Sequence, residues 1–306
     1  MGLFTRLKRS PIRVHLQKIY DERTADAFLL SFPKCGRTWL RLMIGKVLEN
    51  HFQLDHPQME EKLLKLRRLP RLNSRVPKIY VTHDDWPHWK KAEELERKKK
   101  KYRNAKIVFL VRDPRDVIVS FYFEQSKRVT EEDAHRIRNR HLALRRYRSR
   151  IKPYKGTMQE FIREEVGSFK TLIAYYKIWD LNKRTPKDFM LLKYEELRSD
   201  TVKQLRRVID FLELEDVSDR SITEAVEYCR FENMRKLEQA NTFKSKKMAP
   251  ANHWDDESYK IRKGKVGGYR DYLSPEDVRF LDELMREVLS DSFDYTTDQF
   301  TADSSK

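Results

Sequence analysis

The sequence predicts a single α/β domain with a central parallel sheet flanked by helices. Three observations carry that prediction. Four short runs are apolar on both faces, the pattern of strands buried in a parallel sheet. Helical patterns separate them, in the alternation of α/β proteins. No internal repeat and no clear linker interrupts the chain.

The strands are expected at residues 27–32 (AFLLSF), 78–82 (KIYVT), 106–111 (KIVFLV) and 189–194 (FMLLKY). The helical pattern TWLRLMIGKVLEN follows the first. DPRDVIVSFYFEQ follows the third, with Pro114 suited to a first helical turn. TMQEFIREEV opens with capping-box spacing from Thr157 to Glu160. SFKTLIAYYKIWDLNKR carries a wide apolar face. After the fourth strand, EELRSDTVKQLRRVIDFLEL reads as one amphipathic helix through Leu197, Val202, Leu205, Val208, Ile209 and Leu212. SPEDVRFLDELMREVL begins with Ser274 as N-cap and Pro275 at the first helical position. Residues 1–22 read as an N-terminal extension, 23–290 as the domain and 291–306 as a flexible tail.

A chain of 306 residues is long enough for a sizeable buried core. No apolar run approaches the roughly 18–20 residues that span a bilayer. The first residues lack the apolar core and cleavage site of a secretory signal, and Arg6 breaks the myristoylation pattern. Two cysteines, Cys35 and Cys229, suggest no disulfide framework. These features predict a soluble, cytoplasmic protein. The net charge of +17 calls for anionic partners: a polyanion, an acidic membrane surface or a phosphorylated small molecule. Zinc-finger spacing and aromatic RNA-binding motifs are missing, which argues against nucleic acid. Much of the charge is local. Residues 90–101 are expected to be solvated. In 126–155, Ile137, Leu142, Leu144 and Tyr147 predict that part of the segment packs or covers a site.

The chemistry begins at LLSFPKCGRTWLRLM, residues 29–43. A strand, a turn and a helix bring backbone N–H groups and a helix N-terminus to one point, which favours an anion. Gly36 lets backbone approach it; Lys34 and Arg37 add charge and Thr38 a hydroxyl. The lysine precedes the glycine and no Gly-Lys-Ser/Thr ending follows, which argues against a P-loop nucleotide kinase. In VFLVRDPRDVIVSFYFEQ, Arg112 closes a strand and Ser120 lies eight residues later in a helix. An arginine fork and a hydroxyl suit phosphate oxygens.

Together these regions resemble the signature regions of the cytosolic-type sulfotransferases, which take the sulfuryl group of 3′-phosphoadenosine-5′-phosphosulfate (PAPS) and release 3′-phosphoadenosine 5′-phosphate (PAP). FPKCGRTW is similar to the family's Pro-Lys-Ser/Ala-Gly-Thr-Thr-Trp loop. Arg112, Pro114, Asp116, Ser120 and Tyr122 fit its Arg-x-Pro-x-Asp-x-x-x-Ser-x-Tyr pattern. THDDW, GSFKTLIAYYKIW, LLKYEELRSD, YCRFENMRK and IRKGKVGGYRDYLSPE resemble further family segments, in the family's order. The resemblance implies a P-loop nucleoside triphosphate hydrolase-like fold, PAPS as donor and no metal.

Residue by residue, it implies that Lys34 and the Cys35, Gly36, Arg37 and Thr38 backbone hold the 5′-phosphosulfate. Trp39 packs near the adenine, Tyr194 reaches the base and Cys229 takes a lesser place beside it. Arg112, Ser120, Arg262, Lys263 and Gly264 surround the 3′-phosphate. His83 is the implied base, suited by a pKa near neutrality.

Several positions depart from the pattern. Val81 stands where a lysine is common, so one positive charge near the sulfate is missing. Asp84 and Asp85 follow His83 and are candidates to position it or replace it as base. His51, His56, His88 and His253 read as surface or loop residues without metal-ligand spacing. Cys35 at a helix N-terminus is a candidate reactive thiol or simply a small residue that fits the turn. Gly268 and Tyr269 replace Gly-Asp-Trp, so the dimerisation segment of some animal members is not recognisable. The acceptor is expected to be a small molecule, lipid or glycan, with basic loops favouring an anionic one.

Overall fold

Four parallel strands stand side by side in the order β2-β1-β3-β4. They are β1 (Ala27–Leu30), β2 (Ile79–Thr82), β3 (Lys106–Val111) and β4 (Asp188–Lys193). Ala27 pairs with Ile79 on one side and Lys106 on the other, and Lys106 pairs with Asp188. Every residue of β1 is buried, as are Ile107 to Val111. Alternate side chains of a strand point to opposite faces, so both faces of the sheet are covered. The computed structural model describes residues 11–245 and 248–295.

The helices are α1 (Pro11–Arg23), α2 (Arg37–Phe52), α3 (Met59–Leu63), α4 (Pro114–Phe123), α5 (Glu131–Arg140) and α6 (Met158–Arg163). Then come α7 (Phe169–Leu181), α8 (Tyr194–Ser199), α9 (Thr201–Phe211), α10 (Asp219–Tyr228), α11 (Phe231–Gln239) and α12 (Pro275–Val288). The cap signals act as expected. Thr157 and Glu160 form the capping box of α6, and the Ser274 hydroxyl accepts from the Asp277 N–H. The single amphipathic helix expected after β4 is two helices, because the Asp200 carboxylate accepts the Lys203 N–H and caps a new start.

The charged segment 90–101 is solvated in part, with Glu93, Glu96, Arg97, Lys98, Lys100 and Lys101 exposed, but two of its lysines are buried. Lys90 is 5% exposed and Lys99 1% exposed. Each is buried against a carboxylate supplied from just after β2. Part of 126–155 does pack: Leu144, Tyr147 and Ile151 join Trp89 and Ala134 in a second apolar cluster, with Trp86 and Ile137 against it. The Leu142 side chain and residues 1–10 and 296–306 of the expected extension and tail lie outside the described residues.

Because all four strands run the same way, their carboxyl ends share one edge. The chain leaves β1 toward β2 on one side and leaves β3 toward β4 on the other. A crevice therefore opens between β1 and β3, where ligands of such sheets bind.

Candidate active site

The loop after β1 enters α2 through two left-handed residues, Lys34 at φ +72° and Gly36 at φ +90°. A Cβ on Gly36 would lie 2.5 Å from the Tyr194 ring, so glycine serves both the backbone and the close approach. Tyr194 opens α8 at the end of β4, and this contact joins the ends of two strands. No side chain caps the N-terminus of α2, which starts at this loop, so its first N–H groups are available to an anion.

Lys34 Nζ lies 2.8 Å from Glu124 Oε2. Glu124 also receives Lys260 at 3.2 Å and Arg128 Nε at 3.3 Å. It begins a single π-type turn, Glu124–Arg128, that prolongs α4. Burial pushes Lys34 down to about 7, against the pull of Glu124. Burial also opposes ionisation of Glu124, but Lys260, Lys34 and Arg128 together hold it well below the usual carboxylate range.

His83 follows β2. Its Nδ1 lies 2.8 Å from the Ser31 carbonyl, and its Nε2 lies 2.6 Å from Arg37 Nη2. A carbonyl only accepts and a guanidinium only donates. The ring therefore carries its proton on Nδ1, and Nε2 is the basic nitrogen. Burial drives His83 well below the ordinary histidine value, and Arg37 and then His88 push the same way. The two histidine rings are 5.6 Å apart. His88 thus belongs beside the site, not on the surface where its sequence context put it. The turn at Gly167 explains its placement: a Cβ there would meet the His88 carbonyl at 2.3 Å.

Neither aspartate after His83 is hydrogen-bonded to it. Asp84 turns away at φ +58° and takes Lys99 at 2.5 Å, Tyr102 at 2.6 Å and Lys101 at 2.8 Å. Burial favours its neutral form, yet Lys99 and Lys101 hold it down at about 2. Asp85 pairs with Lys90 and accepts the Glu96 N–H at 2.6 Å.

At the end of β3, the Arg112 guanidinium lies 4.5 Å over the Tyr194 ring and 3.2 Å from Asp116, and donates to the Lys265 carbonyl at 2.8 Å. Asp116 in turn accepts the Gly267 and Tyr269 N–H groups at 2.9 Å each. That pair of bonds holds the 262–269 loop over α4. Tyr194 reaches the Gly264 carbonyl at 3.4 Å. Arg262 lies 4.7 Å over the Phe123 ring and bonds Glu257 and Tyr272. The Nε atoms of Arg112 and Arg262 are buried without a partner among the described residues. Ser120 is buried on α4. Lys263 points outward to Asp271 at 3.5 Å, so it is not gathered into this corner.

Trp39 sits edge-on to Tyr194 at 5.9 Å and donates from Nε1 to the Cys229 carbonyl at 2.9 Å. Cys229 contributes that carbonyl; burial pushes its thiol far up. Thr38 lies in the first turn of α2. The Cys35 sulfur faces the core, 3.2 Å from the Tyr176 hydroxyl, and burial pushes it up to about 12. It is the small residue that fits the turn, not a reactive thiolate.

Four site groups escaped the sequence reading: Glu124, Lys260, Arg41 and His88. Two had a signal. Glu124 lies one turn beyond Ser120, and Arg41 one turn beyond Arg37. Among the described residues, no group of three or more His, Cys, Asp or Glu side chains is arranged to hold a metal ion, and no helix is long and apolar enough to cross a membrane.

Residues 24–293 match the family model described as "Sulfotransferase domain". Cytosolic sulfotransferase 7 of Arabidopsis thaliana is 25% identical over 300 residues, 91% of this chain and 83% of that protein. Flavonol 3-sulfotransferase of Flaveria bidentis is 25% identical over 298 residues, 90% of this chain and 86% of that protein. Among solved structures, a mouse sulfotransferase complexed with PAP aligns with a TM-score of 0.56 at 23% identity, over 88% of this chain and 86% of that one. A retinol dehydratase in complex with androsterone and inactive cofactor PAP aligns with a TM-score of 0.54 at 19% identity, over 87% of this chain and 81% of that one. At these identities the structural likeness speaks for the fold, the P-loop nucleoside triphosphate hydrolase-like α/β architecture. With the family model spanning most of the residues, the chain belongs to the sulfotransferase family.

Proposed function

We propose that the protein moves the sulfuryl group of PAPS to a hydroxyl or amine of a small-molecule, lipid or glycan acceptor. One observation carries the reading: within a sulfotransferase domain, a lysine loop, a neutral buried histidine and two arginines with unpartnered buried nitrogens share one sheet edge. The residues fit a bisphosphate. Arg112 and Arg262 have Nε atoms without a hydrogen-bond partner among the described residues, suited to meet a 3′-phosphate. Trp39 and Tyr194, set edge-on to one another, form an aromatic corner suited to an adenine. Lys34 and the α2 N-terminus suit the 5′-phosphosulfate.

In the transfer, His83 Nε2 takes the acceptor proton as the acceptor oxygen forms its bond to sulfur. The bond from sulfur to the 5′-phosphate oxygen breaks, and its electron pair leaves with PAP. Lys34 and the helix N-terminus stabilise the charge gathering on that oxygen. In place of the positive charge missing at Val81, Lys260 bears electrostatically on His83. Asp84 and Asp85 are committed to lysines, which supports His83 as the base. The relatives named as cytosolic support a cytoplasmic location.

Thermal unfolding with added nucleotides tests the donor assignment. A ligand at about 100 times its Kd adds about 2.7 kcal/mol. PAP is expected to raise Tm well above any rise from AMP or ATP. Equal shifts for PAP and AMP would overturn the donor assignment, and a larger shift with ATP would revive the nucleotide kinase.

A further inference from the structure

We propose that Arg37 and Arg41 form an anion-binding subsite for the acceptor, so that the group sulfated belongs to a molecule bearing its own carboxylate, sulfate or phosphate. The proposal rests on the sulfotransferase reading above. The two arginines are one turn apart on α2 and so share a face. Trp39, two residues from Arg37, lies about 200° around the helix. Trp39 faces Tyr194 and Cys229. The arginine pair therefore occupies the opposite side of α2 from the adenine corner, next to His83.

Among the described residues, neither arginine has a carboxylate partner, whereas the other buried cations around the crevice do. Arg37 Nη1 and Arg41 Nε are buried without a hydrogen-bond partner. Burial pushes Arg37 down to about 9, with Arg41 adding to it, and burial pushes Arg41 to about 10. Two half-buried guanidiniums, each with a buried nitrogen that no anion meets, are costly. The donor's charges are already met by Lys34, Lys260 and the helix N-terminus at one end and by Arg112 and Arg262 at the other. An anion on the acceptor is the group left to satisfy this pair.

The same pair reaches the chemistry. Arg37 donates to His83 Nε2, the nitrogen that must take the acceptor proton. An acceptor anion that draws Arg37 toward Arg41 releases Nε2. A charged acceptor thereby frees the base that a neutral one leaves capped.

The test titrates inorganic sulfate into protein labelled with 15N-histidine and saturated with PAPS, whose own sulfate fills the transfer position. Chloride at equal ionic strength is the control. A saturable shift of the His83 Nε2 resonance is expected, weakened about tenfold in apparent affinity by Arg41→Gln, the size of one charge-assisted hydrogen bond. Arg41→Lys should restore most of it. PAP affinity should be the same in Arg41→Gln and native protein. No shift, a shift unchanged in Arg41→Gln, or a shift seen with PAP but lost with PAPS would each overturn the subsite. So would a parallel loss of PAP affinity in Arg41→Gln, which would assign the pair to the donor. Failure of PAP to bind the native protein would instead overturn the sulfotransferase reading.

Discussion

His83 and Asp84 are neighbours in the chain and face opposite kinds of surroundings. Asp84 enters a closed set in which one carboxylate meets Lys99, Lys101 and the Tyr102 hydroxyl. His83 faces Arg37, backed by Arg41, with no carboxylate on either among the described residues. Both sets bury cations. One is complete without a ligand; in the other, Arg37 Nη1 and Arg41 Nε have no hydrogen-bond partner among the described residues. The first holds the segment after β2 in place; the second leaves charge unspent for binding and transfer. Substitutions on the two sides should therefore fail in different ways.

The largest effect is expected at Asp84. Asp84→Asn leaves Lys99 buried without its counter-charge and should cost about 3–5 kcal/mol, read as a lower Tm or denaturation midpoint. The pH dependence has a definite sign. The Asp84 carboxyl is held below its ordinary value, at about 2. Its contribution is complete above the unfolded aspartate range and is lost as pH falls from there through about 2. Asp84→Asn should flatten the acid side of the stability profile. A variant of native stability would dissolve the contrast.

Next comes His83. His83→Ala should lower kcat by about 10²–10⁴-fold, the range of general-base catalysis, with little change in Tm. Near-native turnover would remove His83 as base. A finer effect concerns its charge. Burial and Arg37 keep the imidazole neutral well below the ordinary histidine value. The acid limb of kcat/KM is expected below that value, and Arg37→Met should move it upward by relieving the repulsion of imidazolium. An unmoved limb would mean that Arg37 does not act on His83. The smallest effect should be at Arg41. Removing an unpaired buried charge in Arg41→Gln is expected to raise stability, by about 1 kcal/mol. A loss of stability would show that Arg41 has a partner within the protein.

The two sides also differ in how legible they were. The sheet could be read because strands buried on both faces are apolar throughout, as Ile107 to Val111 are. Lys34 and Arg112 could be read because each follows or closes an expected strand, where a parallel sheet gathers ligands; His83 and Tyr194 were reached only through the resemblance to the sulfotransferases. What pairs with them could not. Lys34 and Glu124 are 90 residues apart, and Lys260 and Glu124 are 136 apart. No local pattern records such a pairing. Lys90 and Lys99 sit in a run that composition alone marks as solvated. Their burial depends on carboxylates that turn away from the site at Asp84 and Asp85. The reactive-thiol reading of Cys35 failed for a related reason: a helix N-terminus lowers a thiol's pKa only if the sulfur faces it, and this one faces Tyr176.

Calorimetric titration of PAP in buffers of different ionisation enthalpy tests most directly whether the crevice stores positive charge for the donor. Lys34 is pushed down to about 7 and is partly neutral near that pH. A bound phosphate raises it, so binding should take up a proton there, and PAP affinity should fall as pH rises above about 7. Heats that differ between buffers in the sense of proton uptake, lost in Lys34→Met, are the expected result. Absence of binding, or buffer-independent heats with a pH-independent Kd across that range, would contradict it.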